Sequence, residues 1–156
     1  MEDNNYFKKL NSVKCKVDKK GRFNYVSWVE AWTQLKLIYP NATSKIYETA
    51  EGQPYFKVFN GVFVKVGVTI NDLEHICWYP VIDFNNKEIN IDKITVFELN
   101  KSLQRALAKA IALHGIGLYV FQGEDLPVID EKEEKTVFNK NGTERSKISN
   151  SVEVLE

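Results

Sequence analysis

The sequence predicts an α+β fold: an antiparallel β-meander of about four strands, with an N-terminal helix and a long C-terminal helix packed on one face. Three patterns carry the prediction. Apolar residues recur at helical spacing from Trp28 to Ile38 and again from Leu99 to Leu113. Between those stretches the period changes to two, the mark of half-buried strands. Asn60-Gly61 and Asn71-Asp72 punctuate the alternating runs, and such pairs tolerate the positive φ of tight hairpin turns.

Residues 1–22 form a basic N-terminal arm. Lys8, Lys9, Lys14, Lys16, Lys19, Lys20 and Arg22 are opposed only by Glu2, Asp3 and Asp18. The arm reads as a loosely ordered segment or short helix, followed by a turn at Gly21. Ser27, with Glu30 three residues on, makes a capping box that opens the first long helix. Trp28, Ala31, Trp32, Leu35 and Ile38 form its apolar stripe, with the two tryptophans expected as core anchors, and Pro40 stops it. TSKIYET is a strand from Thr43, EGQP turns the chain, and PYFKVF, VFVKVGVTI and LEHICWYPVI follow as strands. Residues 83–93 form a polar loop. Thr95 and Glu98 form a second capping box. Leu99, Leu103, Ala106, Leu107, Ala110 and Leu113 then trace the buried stripe of the last helix, Gly115 caps it, and LYVF is a short buried strand or turn. The core domain is expected over residues 23–127. Residues 128–156 lose hydrophobicity and read as an acidic disordered tail.

Strand register decides which side chains share a face. With Phe59-Asn60-Gly61 as a three-residue loop and Gly61 in the left-handed region, Phe56 and Val58 join Val62, Val64 and Val66 on an apolar core face. The second face then collects Tyr55, Lys57, Phe63 and Lys65. A two-residue turn at Asn71-Asp72 sets Trp78 beside Lys65 on that second face. A two-residue loop at Asn60-Gly61 would instead bury Lys57 among valines, which is costly, so the bulged hairpin is preferred.

The charge is unevenly placed. Residues 1–123 carry 16 cationic and 12 anionic side chains, whereas residues 124–156 carry 5 and 9. A basic body attracts polyanions; an acidic tail modulates that attraction or docks a partner. Lys101, Arg105 and Lys109 repeat every four residues on one side of the last helix, and the one carboxylate in reach is Glu98, which can serve only Lys101. No apolar run is long enough to span a membrane and the N-terminus lacks an apolar signal core, so a cytoplasmic protein is expected. Cys15 and Cys77 are too few and too far apart for a disulfide framework or a zinc knuckle. His114 falls on the apolar side of its helix and reads as a core histidine. No phosphate loop, dinucleotide fingerprint or nucleophile–base set is present, so no ATP, no cofactor and no metal is expected.

The chemistry that remains is electrostatic. Cations line one helix face, one sheet face and the N-terminal arm, and Tyr55, Phe63 and Trp78 interleave with Lys57 and Lys65. Phosphates attract cations and unpaired bases stack on flat rings, so the combination favours single-stranded nucleic acid over duplex.

Three motifs strengthen this. The helix S-W-x-x-A-W at 27–32, W-x-P-V-x-D at 78–83 and G-x-G-L-Y-x-x-x-G-E-D-L-P at 115–127 resemble the phage single-strand annealing proteins of the Sak type. Those are similar in plan to the eukaryotic recombination protein Rad-fifty-two. The resemblance covers about residues 20–127. It implies ATP-independent annealing in homologous recombination by a ring or filament of identical subunits, with single-stranded DNA in a basic groove and the bases available to a complementary strand. It implies no bond chemistry. Arg105 occupies the basic position of the family's long helix, and Lys101 and Lys109 extend it. Gln104 and Ala108 stand where the eukaryotic relative has further cations, so the groove is expected to be weaker or differently built. Lys20 and Arg22 fall where the superfamily has a basic segment before the first helix. The host compartment implied is the bacterial cytoplasm, with a single-stranded DNA-binding protein or another recombination protein as an expected partner of the tail.

Two other readings predict different things. A metal-dependent nuclease, drawing on Asp72, Glu74, Asp83 and Glu88, would cleave strands with magnesium or manganese. A protein-interaction module would act through the tail and exposed aromatics and ignore DNA.

Overall fold

The computed structural model describes residues 4–21 and 23–122; the tail expected over 128–156 lies outside them. The fold class is the expected α+β. In chain order it comprises α1 (Tyr6–Asn11), β1 (Asp18–Lys20), β2 (Phe23–Tyr25), α2 (Trp28–Ile38), β3 (Thr43–Ile46), β4 (Phe56–Val58), β5 (Gly61–Ile70), β6 (Leu73–Pro80) and α3 (Val96–Leu113). Short 3-10 turns stand at Ile91–Lys93 and Leu118–Phe121, so LYVF is a turn.

β5 is the hub of the four-stranded sheet. β6 pairs with it from Ile70↔Leu73 to Phe63↔Pro80. Its other edge is shared: β4 pairs with Gly61–Phe63 and β3 with Val66–Thr69. β3 and β4 therefore lie end to end along one edge, and do not pair with each other as a simple meander requires. EGQP does turn the chain, through Gly52 N–H to Thr49 O at 2.9 Å and Thr49 N–H to Gln53 O at 2.8 Å, but the turn is an excursion from one interrupted strand.

The β5–β6 hairpin has the expected register. Asn71 and Asp72 take φ of 47° and 67°, and Lys65 faces Trp78. The β4–β5 hairpin differs. Its loop is Phe59-Asn60, with Phe59 at φ 55°, so Phe56 pairs with Phe63 and Lys57 with Val62. The objection to Lys57 on the valine side assumed an interior strand. β4 is a three-residue edge strand, and Lys57 there remains exposed. Gly61 does not take the left-handed φ expected of it, and the Glu88 carboxylate lies over it.

Val62, Val64, Val66, Val68 and Ile70 bury the inner face of the sheet. Each such valine contributes roughly 1.5 kcal/mol or more by leaving water. α3 crosses this face through Ala106, with Leu99, Leu103 and Leu107 packed alongside. Ala31 and Leu35 of α2 join Ala110 and Ile111 of α3 in a second cluster. α3 is thus covered on more than one side, with Ser102, Ala108 and Ala112 buried as well. Leu113, expected in the stripe, is 40% exposed. Trp28 is not the core anchor expected of it, being exposed, while Trp32 is half-buried under the Lys36 ammonium.

The N-terminal segment is packed. Asn5 caps α1, and Leu10 is fully buried. The Ser27 hydroxyl accepts from Glu30 N–H at 3.1 Å, but the other half of that box is replaced. The Glu30 carboxylate accepts instead from the backbone N–H of Lys16 at 3.2 Å and from Gln34 at 3.1 Å. This ties the leader of the β1–β2 hairpin to α2. On the hairpin's other side, Val26 enters the core against Gly117.

Candidate nucleic-acid interface

The α3 stripe begins at its capped N-terminus. Glu98 N–H donates to the Thr95 hydroxyl oxygen, and the Glu98 carboxylate accepts from Thr95 N–H, completing the box. Glu98 is thereby turned back toward the helix start and away from Lys101. Phe97, Lys101, Arg105 and Lys109 follow at four-residue intervals on one side. The Lys101 ammonium lies 4.5 Å from the centroid of the Phe97 ring. Lys109 lies 5.7 Å from both Tyr79 and Phe121.

The β1–β2 hairpin supplies a further cation. Lys20 is exposed, and its ammonium is held below its ordinary pKa, first by the Arg105 guanidinium, then by partial desolvation and by Lys101. Lys20 of the hairpin thus lies within the field of two α3 cations. Among the described residues, none of the three forms an ion pair with a carboxylate. Gathering like charges is unfavourable in a free protein and becomes favourable when an anion arrives. Arg22 lies outside the described residues. Ala108 is buried, so no cation fits at that position of α3.

The sheet residues named from sequence form a separate cluster. Lys65, Phe63 and Trp78 share the face of the sheet turned away from α3, as expected. Tyr47 and Phe56 join them there. Lys65 lies 4.2 Å from the Tyr47 ring centroid and 5.0 Å from that of Trp78. Trp78 meets Phe56 and Phe63 edge-on, with centroids 5.1 Å and 6.4 Å away. The Tyr47 hydroxyl donates to the Glu74 carboxylate at 2.7 Å, and this bond raises the tyrosine's pKa. Tyr55 and Lys57 are not in this cluster. Tyr55 packs against the buried cluster of Val62, Val64 and Val66, and Lys57 is on the valine side at the sheet edge. The sequence-named residues thus fall on two sides of the sheet: Lys20, Lys101, Arg105 and Lys109 on one, and Phe63, Lys65 and Trp78 on the other.

The carboxylates named for metal chemistry have other duties. Glu74 binds Tyr47, Asp83 accepts from Asn85 and Lys87 backbone N–H groups at 2.8 Å and 3.0 Å, and Glu88 covers Gly61. Among the described residues, no three His, Cys, Asp or Glu side chains gather where a metal could bind. Nor is any described helix long and apolar enough to cross a membrane.

His114 is the core histidine its position predicted. It is fully buried, and its Nε2–H donates to Val68 O at 2.7 Å. Nδ1 is then the acceptor of the neutral ring and faces the Tyr6 hydroxyl at 3.3 Å.

A family model for the Sak single strand annealing protein matches residues 5–152. The chain belongs to the Sak family of single-strand annealing proteins. The family implies annealing, with single-stranded DNA as the partner. The match spans nearly the whole chain, so α1 and the hairpin carrying Lys20 belong to the Sak unit along with α2, the sheet and α3. The W-x-P-V-x-D motif of this Sak chain is structural in part: Trp78 lies on the outer face, Val81 is buried and Asp83 caps the following loop. No curated protein and no solved structure gives a significant match.

Two kinds of residue beside the candidate site are not apparent from the sequence. Phe97 precedes the apolar stripe, and its four-residue offset from Lys101 is the readable signal. Phe23 and Tyr25 lie in a three-residue strand, too short for periodicity to register. The alternation of Phe23 and Tyr25 after Gly21 was the available signal.

Proposed function

We propose that the protein anneals complementary single strands of DNA during homologous recombination, without ATP and without bond chemistry. The observation that carries this is the four-residue repeat of Lys101, Arg105 and Lys109 along one side of α3, with Lys20 of the hairpin in the field of Arg105 and Lys101 and no described carboxylate pairing these last three. Phosphates of one strand run along α3 past Lys101, Arg105 and Lys109, with Lys20 contributed by the hairpin as the opposing wall and Arg22 as a further contact named from the sequence. The backbone charge is neutralised, the strand is held extended, and base pairing with an incoming strand drives the reaction. A few contacts per subunit suffice if subunits form a ring or filament, because contacts along one strand multiply. The setting is the cytoplasm of a bacterium infected by a phage. The acidic segment 128–156 recruits a single-stranded DNA-binding protein or another recombination protein. The cluster of Phe63, Lys65 and Trp78 is on the far side of the sheet and takes no part in holding the same strand.

The test is binding of a labelled single-stranded oligonucleotide over a salt series, with no ATP or divalent metal. The affinity is expected to fall steeply and linearly with salt on logarithmic axes. Salt-independent binding, or none by a folded protein, contradicts the reading.

A further inference from the structure

Apolar rings stand at both ends of the cation cluster, where charge alone does not call for them. In the hairpin, Lys20 pairs directly with Phe23, and Asp18 with Tyr25. Cross-strand partners lie on one face, and residues two apart share that face. Phe23 and Tyr25 therefore present themselves beside Lys20, whose ammonium is in the field of Arg105 and Lys101. Phe23 is 43% exposed and Tyr25 44%. On α3, Phe97 precedes Lys101 by one turn, is 66% exposed, and has the Lys101 ammonium 4.5 Å from its ring centroid.

These rings differ from those on the outer sheet face. There, Trp78 is edge-packed on two neighbouring rings and shares Lys65 with Tyr47. Phe97 is engaged by a cation, leaving most of its surface to solvent. An apolar ring left mostly in water is unfavourable in a free protein, and one cation–π contact offsets only part of that cost. It becomes useful if the ligand brings both phosphates and flat apolar surfaces.

We infer that Phe23, Tyr25 and Phe97 are stacking platforms for unpaired bases, flanking the phosphate site made by Lys20, Lys101 and Arg105. This rests on the reading that the site holds single-stranded DNA. It goes further, because a strand held only by its phosphates leaves every base turned away from the protein. Here a base is seated on the hairpin side and another at the start of α3, with the intervening phosphates on the cations. Stacking needs a base outside a duplex, so the rings make the site select single strands where cations alone attract any nucleic acid. Asp18, on the same hairpin face, disfavours a phosphate beside Tyr25 and leaves that position to a base.

The test uses two probes of equal length and charge, an oligodeoxythymidylate and an abasic sugar–phosphate oligomer, at matched salt. The wild-type protein is expected to bind the base-bearing probe more tightly. In a Phe23→Ala/Phe97→Ala variant, affinity for that probe is expected to fall about tenfold or more, with abasic binding and the salt dependence unchanged. Both side chains are exposed, and a melting curve checks that the variant is folded. An unchanged preference for bases in the variant overturns the stacking role. So does an equal loss on both probes. Failure of the wild type to bind either probe overturns the DNA reading itself, and is a distinct result.

Discussion

The Glu98 carboxylate accepts two hydrogen bonds from Thr95, one from its backbone N–H at 3.0 Å and one from its hydroxyl at 2.8 Å. The acidic residue within a turn of Lys101 is thus committed to the start of α3. Replacing Thr95 with Ala removes the cap and the tether together. Thermal or denaturant unfolding is expected to show a loss of about 1 kcal/mol. Binding to single-stranded DNA is expected to weaken by a few-fold, because the released carboxylate can turn toward Lys101. Full stability in the variant would show that the cap contributes nothing.

The outer sheet cluster provides a control. Lys65→Met removes the cation between Tyr47 and Trp78 while keeping an apolar stem. Stability is expected to fall by about 1 kcal/mol, the scale of a partly desolvated cation–π contact. Affinity for single-stranded DNA is expected to stay within about twofold of wild type. A loss comparable to that of an α3 cation variant would move the binding site to the other side of the sheet.

His114 makes stability depend on pH. Burial holds its pKa below the ordinary histidine value; the bond to the Val68 carbonyl opposes this and the nearby His75 adds to it. The unfolded chain, with an ordinary pKa of about 6.5, therefore takes up a proton that the folded chain resists. Stability from this group is complete above that value. It is lost progressively as pH falls below it, until the depressed folded pKa is passed. In melting curves from pH 7.5 down to pH 5, the wild type is expected to lose more stability than His114→Gln, whose side-chain amide can still donate to Val68. Parallel losses in the two proteins would remove His114 from the acid response.

Gly115 is the point where α1 meets the end of α3. Its φ is +128°, and a Cβ would stand 2.8 Å from the Asn11 nitrogen and 2.9 Å from the Phe7 oxygen, both backbone atoms that cannot swing aside. Gly115→Ala is expected to destabilise by about 3 kcal/mol. Gly117→Ala meets the Val26 side chain at 3.4 Å and the Cys15 sulfur at 4.0 Å, both ordinary contacts, and its φ of +73° makes a cost of about 1 kcal/mol the expectation. Equal effects in denaturant unfolding would mean that α1 yields to accommodate the methyl group.

Much of this was readable in the residues. The Asn71-Asp72 turn fixed Lys65 against Trp78, since a two-residue loop allows one register. The Thr95 box placed the start of α3, and the four-residue repeat of Lys101, Arg105 and Lys109 marked its basic side. Other features depend on which element ends up at an edge. Lys57 stands on the valine face, against expectation, because β4 is an edge strand where a lysine stays exposed, and nothing local says that β3 and β4 share one edge of β5. The Glu30 carboxylate accepts from the Lys16 backbone instead of closing its own cap, a choice between two backbone donors that sequence does not decide. Trp28 shows the limit of hydrophobic periodicity: Ala31 and Leu35 of the same stripe are buried while the larger ring is left half in water.

The most direct measurement is the rate at which two complementary fluorescent oligonucleotides anneal, without ATP or metal, in the presence of wild-type protein and of a Lys101→Ala/Arg105→Ala variant. The wild type is expected to accelerate annealing at low salt and to lose that effect as salt rises. The variant, folded by its melting curve, is expected to leave the rate near that of the oligonucleotides alone. Equal acceleration by the folded variant would contradict the assignment of the strand to the Lys20, Lys101 and Arg105 cluster.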